Sequence, residues 1–306
     1  MTRRRVSHAA EYVLFRTLSG LFRWAPEAWA LRGGALLGWL AGVVLRIRRR
    51  DVDRHLLTAF PDAAPSWRRR VARGCYAHLG RESVAILRLA LAEPEEIVAR
   101  TDVSGLDELR ACLDEGRGVV LVTGHLGNWE VGGAALSARG FPVDAVAKAM
   151  ANRRFDEDLR STRERLGMRI VDASVAPRAV LRALREGRIA ALVADQNAGA
   201  RGVFVPFFGR LASTARGPAL FALRSGAPMV LGLCLRQPGW PQRYRIALRR
   251  IEVVDTGDLE GDVVRVTREH TAALESAARA APEQYFWQHK RWKTHPPEEP
   301  PLRGPV

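Results

Sequence analysis

The chain has 306 residues, 47% of them hydrophobic and 26% charged, enough apolar material for one full core and too much for gross disorder. Its formal charge is +15, and Lys148, Lys290 and Lys293 are the only lysines among 48 basic residues; the excess fits a polyanionic partner, whether nucleic acid, anionic lipid or an acidic carrier protein, without choosing among them. Cys75, Cys112 and Cys234 are far apart and outside any CxxC spacing, which excludes a disulfide framework and a metal knuckle, and the seven histidines form no dense ligand cluster with Asp, Glu or Cys.

Residues 1–50 hold ten arginines against two glutamates. Between Arg32 and Arg46 lies GGALLGWLAGVVL, thirteen uncharged residues, short of the roughly twenty that a spanning helix needs. The stretch suits the boundary between headgroups and acyl chains, with Trp24, Trp29 and Trp39 at the interface and Arg46, Arg48, Arg49 and Arg50 meeting anionic lipid. A helical hairpin buried against the protein is the competing reading. Glu11, Arg16 and Arg23 interrupt any signal-peptide core, although Arg3–Arg5 precedes apolar sequence. Residues 1–50 are therefore expected to form a membrane-association segment and residues 51–115 a helical preface, in which 67–91 carries Val71, Cys75, Leu79, Val84, Leu87 and Leu91 at amphipathic spacing.

From residue 116 apolar strands alternate with charged helices. Strands are predicted at 118–123, 143–148, 168–172, 189–194, 228–235 and 244–254, and helices near 128–139, 154–166, 175–187, 213–225 and 261–280. The pattern predicts an α/β fold: a parallel or mixed central sheet covered by helices, spanning residues 116–295. The Pro-rich residues 296–306 are expected to be a flexible tail. There is no GxGxxG after the first strand and no GxxxxGK[ST], so nucleotide and dinucleotide chemistry finds no support.

The sequence GHLGNWE closes the first of these strands. Five residues separate His125 from Glu130, an advance of about 500° on one helix, which leaves the side chains roughly 140° apart. They meet if His125 lies in the turn and Glu130 in the first helical turn, where free N–H groups and the dipole favour a carboxylate. A fixed anion beside an imidazole selects its tautomer and stabilises its charged form, so the pair is predicted to be a general base, His125, oriented by Glu130. The bland alternative is a turn histidine and a helix-capping glutamate. No GxSxG elbow and no HExxH zinc motif accompanies them.

Further along, Lys148, Asn152, Arg153 and Arg154 follow the second strand, where they would bind phosphate or acyl carbonyl oxygen, or simply start a solvated helix. Asp195 and Gln196 follow the strand at 189–194, at the sheet end where ligands usually lie, with turn capping as the alternative. Phe204, Phe207 and Phe208 offer either an acyl-chain wall or ordinary core. Arg216 is a candidate phosphate contact, and QYFWQHKRWKT at 284–294 reads as an aromatic and basic belt against headgroups.

Taken together, GHLGNWE at 124–130, DQN at 195–197, GVFVPFFGRLASTARGPA at 202–219, EQYFWQHKRWKT at 283–294 and the upstream HLLTAFPD at 55–62 resemble the late acyltransferases of lipid A biosynthesis, the lauroyl/myristoyl type within the Hxxxx(D/E) glycerolipid-acyltransferase group. The resemblance runs from about residue 12 to residue 295; the family's usual asparagine before LxxAFP is His55 here. It implies a fatty acyl transfer from an acyl-carrier-protein or coenzyme A thioester, with no tightly bound cofactor and no metal. The acceptor would be a hydroxyl of a phosphorylated lipid A precursor, and the enzyme would sit peripherally on the cytoplasmic face of the inner membrane. It assigns His125 as base and Glu130 as its partner, and makes Asn152, Arg153, Asp195 and Gln196 plausible contacts. The partners implied are anionic membrane lipid and an acidic acyl carrier protein, with no nucleic acid. Two alternatives remain: the same transfer onto a phosphatidylinositol mannoside or another membrane lipid, and a non-catalytic protein that binds anionic lipid or nucleic acid.

Overall fold

The computed structural model describes residues 17 and 19–296. Arg3–Arg5, Glu11 and Arg16, on which the signal-peptide argument drew, and nearly all of the Pro-rich tail lie outside the described residues.

The described chain begins with a helical layer: α1 (Glu27–Val43), α2 (Arg49–Ala59), α3 (Pro65–Arg88) and α4 (Pro94–Ala99). After it come β1 (Thr101–Ser104), α5 (Leu106–Asp114), β2 (Val119–Thr123), α6 (Trp129–Ser137), β3 (Val143–Ala147), α7 (Arg153–Arg165), β4 (Arg169–Asp172), α8 (Ala176–Arg185) and β5 (Ile189–Val193). A hairpin, β6 (Val203–Phe207) and β7 (Arg210–Thr214), precedes α9 (Gly217–Ser225), β8 (Met229–Arg236), β9 (Tyr244–Ile251) and α10 (Leu259–Ala280).

Seven strands form the central sheet in the order β1-β9-β8-β2-β5-β3-β4. Every neighbouring pair is parallel except β8 with β9. β2 lies inside the sheet, and successive residues serve opposite cores: Val120 and Val122 pack with α3, α9 and α10, while Val119 and Leu121 pack with α5 and α6. Both faces being covered, VVLV is apolar throughout, as a buried parallel strand requires. β9 alternates buried and exposed residues along YRIALR, in keeping with one face against the α5 core and one toward solvent.

The expected strands and helices are present within a few residues, with three differences. The expected helical preface of 51–115 contains an edge strand of the main sheet, β1, paired with β9. Ser213 and Thr214, expected to begin a helix, end β7, and α9 starts only at Gly217. Phe208 and Gly209, both at positive φ, form the two-residue turn of the β6–β7 hairpin.

α1 packs on α3 through a stripe of small residues. A Cβ added at Gly38 would collide with the Tyr76 carbonyl, and one added at Gly80 with that of Gly34. This close approach leaves large apolar side chains on the other side: Trp29 is 70% exposed, and Leu36, Val44, Leu45 and Ile47 are exposed with it. Among the described residues no helix is long and apolar enough to cross a membrane.

Candidate active site

The register of the sheet builds the site. β2 and β5 run parallel with Thr123 opposite Val193. His125 and Asp195 each stand two residues beyond that pair, so both strands deliver their polar residue to the same place at the carboxyl edge. The His125 backbone N–H donates to Asp195 Oδ2 at 2.9 Å, and His125 Nδ1 lies 2.6 Å from Asp195 Oδ1. An ionised carboxylate only accepts, so Nδ1 carries the proton and Nε2 the lone pair. Gln196 places its Nε2 3.2 Å from that lone pair. The ring lies edge-on to Trp129, with centroids 4.4 Å apart, and 5.8 Å from Phe286.

Asp195 is buried, which by itself resists ionisation. The adjoining His125 imidazole with the two hydrogen bonds it donates, and the Arg291 guanidinium, outweigh that penalty and hold the carboxyl below its usual range. Behind it, burial and the neighbouring Asp195 charge hold the Tyr285 phenol well above its usual range.

The turn from Gly124 to Asn128 is clamped from the back. Gly127 has φ +65° and no room for a Cβ against the Cys234 carbonyl. Buried Asn128 caps α6, its Oδ1 accepting from Val131 N at 3.1 Å, while its Nδ2 donates to Glu82 of α3 at 2.9 Å. Tyr244 donates to the same carboxylate at 2.7 Å and Gln242 at 3.3 Å. Burial pushes the Glu82 carboxyl up despite these bonds.

The C-terminal segment closes another wall. Phe286 N–H donates to the His125 carbonyl at 3.0 Å. Asn197, last of the DQN triplet, donates its backbone N–H to His289 Nε2 at 2.9 Å and its Nδ2 to Thr294 at 3.1 Å. Burial draws the His289 imidazole down to about 4, so it stays a neutral acceptor.

Glu130 differs from the expectation. Its carboxylate is taken by Arg163 of α7, with Nε donating to Oε2 at 2.9 Å and a second nitrogen to Oε1, and by Trp129 Nε1 at 3.2 Å. The imidazole is thus held by Asp195 and not by the carboxylate five residues on. Glu130 sits in the first turn of α6, as predicted, but that turn faces β3 and α7.

His125, Trp129, Glu130, Arg163, Gln196 and Phe286 share one cavity of about 740 Å³. It extends past Lys148 and Val146 to Leu79 and Leu87 of α3 and Leu37 of α1, at the exposed apolar face of the helical layer. A narrow apolar slot of about 80 Å³ adjoins it between α6 and the sheet, bounded by Leu136, Met168, Gly232 and Ile246 and sharing Trp129, Glu130 and Arg163 with the larger space.

Other expected contacts fall elsewhere. Asn152 precedes α7 and Arg153 is exposed, and neither lines the cavity, whereas Lys148 does. Arg216 pairs with Glu260. Phe207 and Phe208 are buried in an aromatic cluster with Phe60, Trp287 and Trp292, the Arg279 guanidinium 4.4 Å from the Phe208 ring centre. Phe204 is half-buried on the hairpin, and none of the three phenylalanines lines the His125 cavity. Trp287, Arg291 and Trp292 are core, not a surface belt. Arg163 and Glu82 escaped notice because no local motif marks them, while Phe286 and Asn128 lie within EQYFWQHKRWKT and GHLGNWE but carry no local sign of these contacts.

Residues 2–294 match the family described as bacterial lipid A biosynthesis acyltransferase. Similar proteins include the phosphatidylinositol mannoside acyltransferase of Mycolicibacterium smegmatis, 29% identical over 65% of this chain and 64% of that enzyme. They also include the lipid A biosynthesis palmitoleoyltransferase of Escherichia coli K12, 27% identical over 88% of this chain and 86% of the relative, and the lauroyltransferase of the same strain, 27% identical over 87% and 85%. With the match covering nearly the whole length, and with an imidazole–carboxylate pair at the sheet edge beneath it, the chain belongs to the bacterial lipid A biosynthesis acyltransferase family and is an O-acyltransferase.

Proposed function

We propose that the protein transfers a fatty acyl chain from a carrier thioester, acyl carrier protein or coenzyme A, to a hydroxyl of a lipid A precursor, with His125 as general base and Asp195 as the carboxylate that holds it. The observation that carries this reading is the row Asp195–His125–Gln196 opening onto a cavity that runs to the apolar helical layer. Asp195 fixes the proton on Nδ1, leaving Nε2 as the base. In the resting site the Gln196 amide donates to Nε2; the acceptor hydroxyl takes that place, and its oxygen attacks the thioester carbonyl as its proton passes to Nε2. Asp195 stabilises the resulting imidazolium, which returns the proton to the departing thiolate. Glu130, neutralised by Arg163, shapes the wall between the two parts of the cavity. The narrow slot suits the donor chain and the wider space the acylated acceptor, reached from the membrane through the exposed apolar face of α1. On this reading the protein sits peripherally on the inner membrane, and its cationic surface orients an acidic carrier.

The match to a phosphatidylinositol mannoside acyltransferase supports the same transfer onto that glycolipid as a second reading. Purified protein incubated with acyl carrier thioester and each acceptor, followed by lipid mass analysis, separates them. A donor-dependent mass increment on the lipid A precursor is expected, and normal turnover by His125→Ala overturns the mechanism.

A further inference from the structure

A second concavity, of about 240 Å³, lies between the first turns of α2 and the end of the C-terminal segment, and none of its lining residues lines the His125 cavity. Arg54, Lys290 and Lys293 line it, against one carboxylate, Asp51, whose nearest oxygen is 3.7 Å from Lys290 Nζ. Two of the three lysines of an arginine-dominated chain thus meet at one cleft. The Nε of Arg54 is buried and has no hydrogen-bond partner among the described residues. His55, on the cleft wall, donates Nδ1–H to the Trp287 carbonyl at 2.8 Å, and its ring lies 5.4 Å from that of Trp292. Burial lowers its basicity, so it stiffens the wall without adding charge.

The cleft adjoins the apolar loop that ends α1. Val44, Leu45 and Ile47 are exposed there, and Arg48 donates to the Gln288 carbonyl at 3.2 Å, tying the loop to the segment that supplies both lysines. Apolar side chains beside a pocket of cations fit the boundary of a bilayer, the former among acyl chains and the latter at phosphate depth. Three cations against one carboxylate leave a positive excess that matches a phosphomonoester, which carries about −1.5 to −2 at neutral pH.

We propose that the cleft of Arg54, Lys290 and Lys293 binds the phosphomonoester headgroup of a membrane lipid, apart from the catalytic cavity. The inference deepens the membrane reading above but does not need acyl transfer to be right, and its test reads binding alone. Full-length protein is titrated with phosphatidylcholine vesicles carrying phosphatidic acid, and with vesicles brought to the same surface charge by phosphatidylserine. Wild-type protein is expected to prefer phosphatidic acid. The triple variant Arg54→Gln, Lys290→Gln, Lys293→Gln loses that preference and binds on the order of 100-fold more weakly. A charge-matched control on exposed positions of α8, Arg178→Gln, Arg182→Gln, Arg185→Gln, keeps the preference and weakens about threefold or less. His125→Ala keeps it too, which separates this site from catalysis. If the triple variant does not fold, Lys290→Gln with Lys293→Gln, both exposed, still lowers affinity on the order of tenfold. Equal weakening in the triple variant and the control, or no preference in the wild type, overturns the proposal. So does displacement of the vesicles by inorganic phosphate at concentrations far below those of the lipid, which makes the free ion the ligand.

Discussion

His125 and Asp195 meet because two neighbouring parallel strands end in register, a cause that no spacing along the chain expresses. They stand 70 positions apart in sequence, while Glu130, close in sequence, is engaged by Arg163. Asp195→Asn removes both the charge and the proton-selecting acceptor, and should lower kcat by about 10²–10⁴-fold, nearly as far as His125→Ala. Because the two side chains act as a unit, the double variant should be scarcely worse than either alone in steady-state transfer assays. Glu130→Gln is expected to act differently. It strands the Arg163 guanidinium, of which only 15% of the side chain is exposed, and should cost about 3 kcal/mol in urea unfolding. A stable but inactive Glu130→Gln beside an active Asp195→Asn would restore the local pair that the HxxxxE spacing first suggested.

The helical elements bury one surface against the protein and leave large apolar side chains exposed on another. In α1 the glycines make the closest contact with α3, beside buried Ala30 and Leu31, since only a side chain of one hydrogen lets the two backbones touch. Gly38→Val forces the Tyr76 carbonyl away and should lower the unfolding free energy by about 1–3 kcal/mol, as overpacking does, read from the denaturation midpoint. The opposite face predicts the converse phenotype. Trp24→Ser, Trp29→Ser and Leu36→Ser together leave thermal unfolding unchanged, because these residues are exposed, and reduce flotation with anionic vesicles by about tenfold or more. Elements with strong periodicity were read correctly from sequence; β1 is only four residues of mixed polarity at the sheet edge, and the β6–β7 turn uses Phe-Gly in place of the usual Asn-Gly or Asp-Gly signal, so both went unseen.

At the scale of the whole molecule, buried histidines tie stability to pH. Burial draws His78 and His270 from 6.5 down to about 4, and both lie in the interior. Between those values the unfolded chain binds protons that the folded one refuses. The contribution of each histidine is complete above about pH 6.5 and is lost as pH falls toward 4, at roughly 1.4 kcal/mol per histidine per pH unit. Urea midpoints should therefore be flat from pH 8 to about 7 and fall steeply below about 6, and His270→Gln should flatten part of that slope.

The sequence by itself determined the alternation of apolar strands and charged helices, the histidine at the end of an interior strand, the buried thiols and the family. Each of these depends on short-range periodicity or on a motif held within one turn. Only the tertiary structure decided which carboxylate holds the imidazole, that Arg163 claims Glu130, that the Phe-rich hairpin is core, and that Lys290 and Lys293 share a cleft with Arg54. Those outcomes follow from strand order and from helices packed across the sheet, where residues far apart in the chain become neighbours because apolar faces must be covered on both sides.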